Sequence, residues 1–203
     1  ACSSLKSIVL PISLKKIGMG CFCGCTNLTS VTIPNSLSTL PDSCFRACTS
    51  LKEIIIPQSI SVIEKFCFSG CTSLNFVSLN NNISTIGEKA FFMCNSLENI
   101  YIPSSVENIG NEAFGFIPNI DTIITSSDFV IYGLENSVAH NYAIKNSLTF
   151  IDSKETVQAF SIIDSIKSVP SAPKAIFSGG ILIFILVCII TLKHILNNKR
   201  RKK

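Results

Sequence analysis

Residues 25–47 read CTNLTSVTIPNSLSTLPDSCFRA, and the same pattern recurs on both sides of this stretch at a spacing of 23 residues. Aligned at that period, apolar residues fall in fixed columns over five units. The most regular columns are Cys2, Cys25, Cys48, Cys71 and Cys94; Leu5, Leu28, Leu51, Leu74 and Leu97; and Phe22, Phe45, Phe68, Phe91 and Phe114. A fixed period of this length is the signature of a solenoid. One unit cannot bury its own apolar face, but a stack of units buries a continuous core.

Each unit predicts two short extended segments. In the first, alternate side chains face the core and the others face outward, as the two-residue period of a strand requires. The Pro that follows lacks an N–H, so the chain must turn there, and the second segment returns on the opposite side. We expect little long helix in residues 1–135. In the quoted unit the inward residues are Leu28, Val31 and Ile33, then Leu37 and Leu40. Phe45 and Cys48, the first residue of the next unit, fill the corner.

The unit CxxLxxIxIPxSLxxIxxxxFxxC resembles the BspA-like, or Treponema-type, branch of the leucine-rich repeats over about two thirds of the chain. It carries Pro where ordinary leucine-rich repeats carry an Asn or Cys ladder, and this Pro is typical of the BspA-like branch. The resemblance implies a mostly β repeat solenoid with a parallel sheet on its concave face. It also implies a surface-exposed protein, because relatives of this kind are often adhesins or antigens of mucosal bacteria and protists.

The composition predicts five segments. Residues 1–135 form the solenoid, with about five 23-residue units and a degenerate one, and residues 136–151 form a C-terminal cap. Residues 152–174 form a spacer, residues 175–192 a transmembrane helix and residues 193–203 a basic tail. The chain starts in register and without a leader, so we expect it to be the C-terminal part of a longer repeat protein.

The repeat weakens after residue 117. We expect Ile120, Ile123, Phe129 and Tyr132 to keep their places in the columns, and Ile117 to stand in the column of the buried cysteines. A turn at Gly133, a short helix over residues 137–145 and a strand over residues 148–151 would then close the array.

The chain has ten cysteines, and three interpretations of them stay open: buried core thiols, disulfides and a metal site. Nine precede the predicted membrane helix, an odd number for a complete disulfide framework. The CxCxC run of Cys21, Cys23 and Cys25 superficially resembles metal-ligand spacing. Ala90 and Ala113, however, occupy the same column as Cys21 at later units. A position that accepts Ala is a small buried site, so the pattern favours core thiols over disulfides, and either over a metal. We expect neither a metal nor another cofactor.

Residues 175–192 contain no charged residue. At the rise of a helix they span about 27 Å, close to the hydrocarbon thickness of a bilayer. All thirteen acidic residues precede the tail, whereas six of the seventeen basic residues lie in it, so the net charge of +4 comes from the tail. The positive-inside rule therefore predicts a single-pass plasma-membrane protein with extracellular repeats and a cytoplasmic tail.

The end of the tail is expected to contact anionic lipid head groups rather than nucleic acid, since it lies next to the bilayer. The residues concerned are Lys199, Arg200, Arg201, Lys202 and Lys203. The alternative topology is a tail anchor with the repeats in the cytosol, where the cysteines would stay reduced. The charge asymmetry argues against it.

No phosphate-binding loop, paired-carboxylate motif or catalytic triad pattern is visible, so we expect no enzymatic activity. His140 fits a solvated or capping role better than a catalytic one. The leading hypothesis is an adhesin or surface antigen that binds a host or cell-surface protein through the outward residues of the concave strands. The alternatives are a structural coat component without a defined ligand and a cytosolic scaffold; a receptor fits poorly, because the tail carries no Ser, Thr or Tyr. The sequence indicates no oligomeric state.

The predicted ligand-binding residues stand between the core columns in two outward rows. Apolar side chains on neighbouring strands suit protein recognition, although strand propensity alone would also explain them. The first row contributes Glu53, Phe76 and Asn99, and the second contributes Thr32, Ile55, Ser78 and Tyr101. Asn27 and Asn82 match the N-glycosylation pattern, about as often as chance would produce it.

Overall fold

A computed structural model describes residues 2–118, 122–126 and 128–154 of the chain. Residues 1–152 form one unit and residues 153–203 belong to a second. The elements of the first unit are β1 (Ser7–Val9), β2 (Ser30–Thr32), β3 (Thr39–Leu40), β4 (Glu53–Ile55), β5 (Val62–Ile63), β6 (Phe76–Ser78), β7 (Thr85–Ile86), β8 (Asn99–Tyr101), β9 (Asn108–Ile109), β10 (Phe116–Pro118), β11 (Ile123–Thr125), β12 (Val130–Gly133), α1 (Val138–Lys145) and β13 (Thr149–Asp152).

The three-residue strands of successive turns stack in parallel on one side of the solenoid. β1 pairs with β2 and β4 with β6, each at an offset of 23 residues. β2 lies beside β4, and β6 beside β8, which completes the row. We call the outward side of β1, β2, β4, β6, β8 and β12 the first face. The predicted repeat solenoid with a parallel sheet is therefore confirmed.

The two-residue strands form a second parallel ladder in the order β3-β5-β7-β9. Leu40, Ile63 and Ile86 of this ladder are completely buried, as their column predicts. The chain after β9 packs closely against the preceding turn. A Cβ added at Gly110 would lie only 2.3 Å from the Glu88 backbone nitrogen, so only glycine fits there without a shift of the backbone. We call the outward side of this ladder the second face.

The corner between the second ladder and the next turn is built around a stack of phenylalanines. Ring centroids of successive members lie 5.0 to 5.4 Å apart from Phe22 to Phe114. The N–H groups of the first four members, Phe22 to Phe91, each donate to a carbonyl of the following turn, as Phe45 does to Cys67 at 2.8 Å. Two columns flanking the stack have left-handed backbone, mostly at residues other than glycine: Gly20, Ser43, Phe66, Lys89 and Glu112; and Gly24, Ala47, Gly70 and Met93. Since this conformation costs a side-chain-bearing residue about 1–2 kcal/mol, the stacking of the turns imposes it.

The sixth turn departs from the period. β12 pairs with β8 at an offset of 31 residues, Ile131 opposite Ile100, because β10 and β11 form an inserted antiparallel hairpin. The expectation that Ile123 stays in its column is wrong: Ile123 lies on the hairpin and is 45% exposed, whereas Ile131 fills the core position and is completely buried. Phe129 also leaves its expected column and extends the phenylalanine stack, 6.4 Å from Phe114.

A helix and a strand close the described end of the solenoid, as the sequence predicts. Ser137 caps α1, its hydroxyl accepting from the His140 N–H, and β13 pairs in parallel with β12. The hydroxyl of Tyr142 accepts from Phe114 N at 3.0 Å and donates to Phe114 O at 3.3 Å. Tyr142 thus supplies the partner that a further turn would otherwise provide to this corner.

No helix in the described ranges is both long and apolar enough to cross a bilayer. The predicted transmembrane helix, residues 175–192, lies outside those ranges, as do the basic tail and nearly all of the spacer.

Candidate binding face

Parallel pairing brings the predicted binding residues together on the first face. Glu53 stands opposite Phe76 in one row, and Ile55 stands opposite Ser78 in the other. Thr32 lies on the preceding strand β2, and Asn99 and Tyr101 lie on the following strand β8. All seven predicted residues therefore occupy four successive strands of one surface.

The five polar residues among the predicted binding residues are not engaged through their side chains within the described part of the protein. None of the side chains of Thr32, Glu53, Ser78, Asn99 and Tyr101 makes a hydrogen bond or ion pair there. All five are exposed or half-buried. They are consequently available to a ligand without the loss of an internal contact.

Several polar side chains elsewhere on the turns tie neighbouring turns together. The Ser84 hydroxyl donates to Ser61 O at 3.2 Å, and the Ser36 hydroxyl donates to Leu14 O at 2.7 Å. The Thr49 hydroxyl donates to Thr26 O at 3.3 Å. Free polar side chains also occur elsewhere in the described structure, for example at Thr39 and Thr85 of the second ladder, so the first face is distinguished by the combination of such groups with apolar side chains.

Apolar side chains on the first face form a zigzag over three strands. Ile55 is 60% exposed on β4, whereas Phe76 on β6 and Tyr101 on β8 are half-buried. Ser78 separates Ile55 from Tyr101 along their row. This arrangement gives a ligand one aliphatic and two aromatic contacts among hydrogen-bonding groups, a composition typical of protein-binding surfaces.

The inserted hairpin changes which residues complete the first face. In the strict 23-residue register Thr122 and Ile124 would follow Asn99 and Tyr101, but both lie on or next to the hairpin. The pairing instead places Val130 opposite Asn99 and Tyr132 opposite Tyr101. The signal for this shift is present in the sequence as the Ile-Tyr pair at residues 100–101, which recurs at residues 131–132. Because Tyr132 is buried, the exposed part of this row ends at Tyr101.

The cysteines contribute to the core rather than to a reactive site. Cys25, Cys44, Cys48, Cys67, Cys71 and Cys94 are buried, which confirms the core-thiol interpretation for these six. Burial raises the pKa of Cys44, Cys48 and Cys94 to about 12, so these thiols stay protonated and are poor nucleophiles and metal ligands. Three of the buried thiols donate to a Phe carbonyl of the preceding turn, as Cys71 does to Phe45 O at 3.2 Å.

The first turn is the exception to this burial. Cys2 and Cys21 are exposed and Cys23 is half-buried, so the expectation that the whole Cys21 column is buried is wrong at its first member. Cys21 precedes Cys44 by one unit and lies near it in the stack, where it adds to the raised pKa of Cys44. Within the described residues the first turn packs against the second turn alone, so its thiols are covered less than those of the later turns.

Other candidate sites carry little chemistry. No group of three or more His, Cys, Asp or Glu residues within the described ranges is arranged to hold a metal ion. His140 serves the cap: its Nδ1 accepts from Asn136 N at 3.1 Å, and its ring stacks on Phe150. A cleft of about 170 Å³ between the fifth turn and the hairpin, lined by Leu97 and Ile117 among others, is smaller than typical small-molecule sites.

The two glycosylation patterns lie on different turns. Asn27 and Asn82 are both exposed. The Asn82 side chain is held by hydrogen bonds to Gln58, whereas that of Asn27 makes none in the described structure. The predicted lipid-contact residues of the tail, Lys199 to Lys203, fall outside the described residues.

Comparison with known proteins identifies the repeat. Residues 1–121 match six copies of the BspA type leucine rich repeat region. A leucine-rich repeat protein from Bacteroides ovatus is 26% identical with a TM-score of 0.56, and the match covers 73% of this chain and 34% of that one. The T. pallidum leucine rich repeat protein is 26% identical with a TM-score of 0.54, covering 62% and 57% of the two chains.

The pneumococcal vaccine antigen PcpA is 25% identical with a TM-score of 0.55, and the match covers 74% of this chain and 36% of that one. The matched part of the chain thus spans between about a third and just over half of the length of these three solved proteins. A comparison with curated protein sequences gave no match.

Proposed function

Because the chain belongs to the BspA-type leucine-rich repeat family, we propose that it is a membrane-anchored cell-surface protein that binds a partner protein through its first face. The partner is a protein displayed on another cell or in the surrounding matrix. The similarity to a pneumococcal vaccine antigen supports a surface location. The proposal assigns the solenoid a binding role and no catalysis.

The observation that carries the proposal is the combination of free polar groups and apolar anchors on one rigid surface. Five side chains of the first face, including Glu53, Asn99 and Tyr101, have no internal partner in the described structure. They surround Ile55 and Phe76, whose burial against a partner would supply affinity. A packed ladder of parallel strands holds these groups in place, which lowers the entropy lost on binding.

The membrane anchor of this proposal is the uncharged run of residues 175–192, followed by the basic tail. The charge asymmetry across this run would keep the tail in the cytoplasm and the solenoid outside. The spacer of residues 152–174 would then link the solenoid to the membrane segment.

A binding assay with a soluble fragment, residues 1–172, tests the proposed face. We expect saturable binding to cells or extracellular matrix that is lost in the double variant Phe76→Ser and Tyr101→Ser. Truncation of a hot-spot residue costs about 2 kcal/mol or more, so each change should weaken binding by roughly thirtyfold. Serine is preferable to an acidic residue here, because a Glu at position 76 would face Glu53 directly.

A matched variant on the second face controls for general effects on folding. Val62→Ser and Thr85→Ser truncate two half-buried residues that stand opposite each other on β5 and β7. This variant should bind like the wild type. Absence of binding by folded wild-type fragment would favour the coat role, and equal binding by the first-face variant would exclude this surface.

An accessibility test addresses the topology independently. An epitope tag placed ahead of residue 1 of the full chain should be labelled by antibody on intact cells, whereas a tag after Lys203 should be labelled only after permeabilisation. The reverse pattern would establish the cytosolic scaffold.

A further inference from the structure

The two glycosylation patterns are equivalent in the sequence but not in the structure. We propose that Asn27 is an N-glycan acceptor of the folded protein and that Asn82 is not. The inference rests on the proposed extracellular position of the repeats, since the modification takes place in a secretory lumen.

Asn27 presents an unhindered acceptor. It lies exposed in the turn before β2, and its side-chain amide makes no hydrogen bond in the described structure. The residues in the same position of the neighbouring turns are serines, Ser4 and Ser50, so small side chains flank it on both sides. The hydroxyl of Thr29, the third residue of the pattern, donates to Lys6 O at 3.0 Å on the surface.

Asn82 is exposed as well, but its amide already links two turns. Its Nδ2 donates to Gln58 O at 2.9 Å and lies 3.4 Å from Gln58 Oε1. A sugar on Nδ2 would replace one of the two N–H groups and would place a bulky substituent against Gln58. Its backbone N–H is also fixed, by the buried side chain of Asn80 at 2.6 Å. A glycan at this position would therefore work against the native packing of the fourth turn.

The transfer needs a lipid diphosphate-linked oligosaccharide as the sugar donor. The bond between sugar C1 and the diphosphate oxygen breaks, and a bond between C1 and Asn27 Nδ2 forms. The lipid diphosphate leaves with the bonding electrons, and the amide proton passes to a base of the transferase. The reaction involves no oxidation or reduction.

A glycan on Asn27 would also limit the binding surface. Asn27 precedes β2 by three residues, so the sugar would stand at the amino end of the first-face strands in the second turn. Ile55, Phe76 and Tyr101 lie on the strands of the third, fourth and fifth turns, which follow the second turn along the solenoid. A glycan on Asn27 would therefore leave Ile55, Phe76 and Tyr101 open to a partner.

The experiment uses the full chain behind a secretory signal in a eukaryotic cell, with an Asn-Gly-Thr acceptor in a tag ahead of residue 1. Surface protein is isolated, treated with a glycosidase that converts glycosylated Asn to Asp, and analysed by mass spectrometry. We expect glycans on the tag and on Asn27 and none on Asn82. Asn27→Gln and Thr29→Ala should each remove one glycan, whereas Asn82→Gln and Thr29→Ser should remove none.

The outcomes distinguish failure of the glycan assignment from failure of the proposed extracellular position of the repeats. A modified tag with unmodified Asn27 would overturn the assignment and leave the extracellular position of the repeats intact. If neither the tag nor Asn27 is modified, both the glycan assignment and the proposed topology fail. Full occupancy of Asn82 in the surface protein would refute the distinction between the two sites.

Discussion

Replacing Tyr142 by Phe tests whether one hydroxyl closes the end of the repeat ladder. The ring would keep its edge-on contact with Phe114, whose centroid lies 6.2 Å away. The variant would lose the acceptor for Phe114 N at 3.0 Å and the donor to Phe114 O at 3.3 Å. Phe114 is completely buried, so its N–H would remain without a partner, at a cost of about 1–3 kcal/mol. We expect the free energy of unfolding to fall by about 2 kcal/mol.

Two measurements on the residue 1–172 fragment check this value. Urea denaturation followed by circular dichroism gives the global change, and hydrogen exchange at the Phe114 amide gives the local one, with an expected acceleration of roughly thirtyfold. Tyr101→Phe is the matched control, because the Tyr101 hydroxyl makes no internal hydrogen bond in the described structure and its loss should change stability by less than about 0.5 kcal/mol. Equal effects of the two changes would refute the capping role of the hydroxyl.

Three further changes follow from the packing of the turns. Burial raises the pKa of Cys44, Cys48 and Cys94 from 9.0 to about 12, so the native state holds these protons more tightly than the unfolded state does. The free energy of unfolding should therefore be unaffected below about pH 9 and should fall between pH 9 and pH 12, by up to about 1.4 kcal/mol per pH unit for each thiol. Urea titrations at several pH values measure this change. Gly110→Ala would place a Cβ 2.3 Å from Glu88 N and should cost more than about 2 kcal/mol, whereas Gly18→Ala meets no atom within 4 Å and should be tolerated. Asn80→Ala removes the hydrogen bonds to Pro57 O and Ile60 O. The free energy of unfolding should fall by about 1–3 kcal/mol, and urea unfolding measures the loss.

The regular part of the fold could be predicted from the sequence because the period itself specifies which side chains meet. Leu28, Leu37 and Leu40 recur at fixed positions, and all three are almost completely buried. The same period placed Ile55 and Ser78 opposite each other on the first face, as the strand register confirms. Column positions determine contacts in a stack whose turns are related by one repeating offset.

Prediction failed where the offset changes. The inserted hairpin moved the core position from Ile123 to Ile131, and a reading at constant period has no means of locating eight extra residues. The role of Tyr142 was also hidden, because it depends on where α1 settles against Phe114 rather than on any local pattern. Left-handed backbone at Phe66 and Lys89 was equally unforeseen, since local propensity opposes it and only the stacked turns impose it.

Photo-crosslinking from single positions tests the proposed binding face most directly. A photoreactive phenylalanine analogue in place of Ser78 stands between Ile55 and Tyr101 on the first face, and the same analogue in place of Thr85 stands on the second. Both native residues are half-buried, so the two reporters are matched. With the residue 1–172 fragment bound to cells, we expect covalent capture of a partner protein from position 78 and none from position 85. Capture from position 85 alone, with binding retained, would contradict the account.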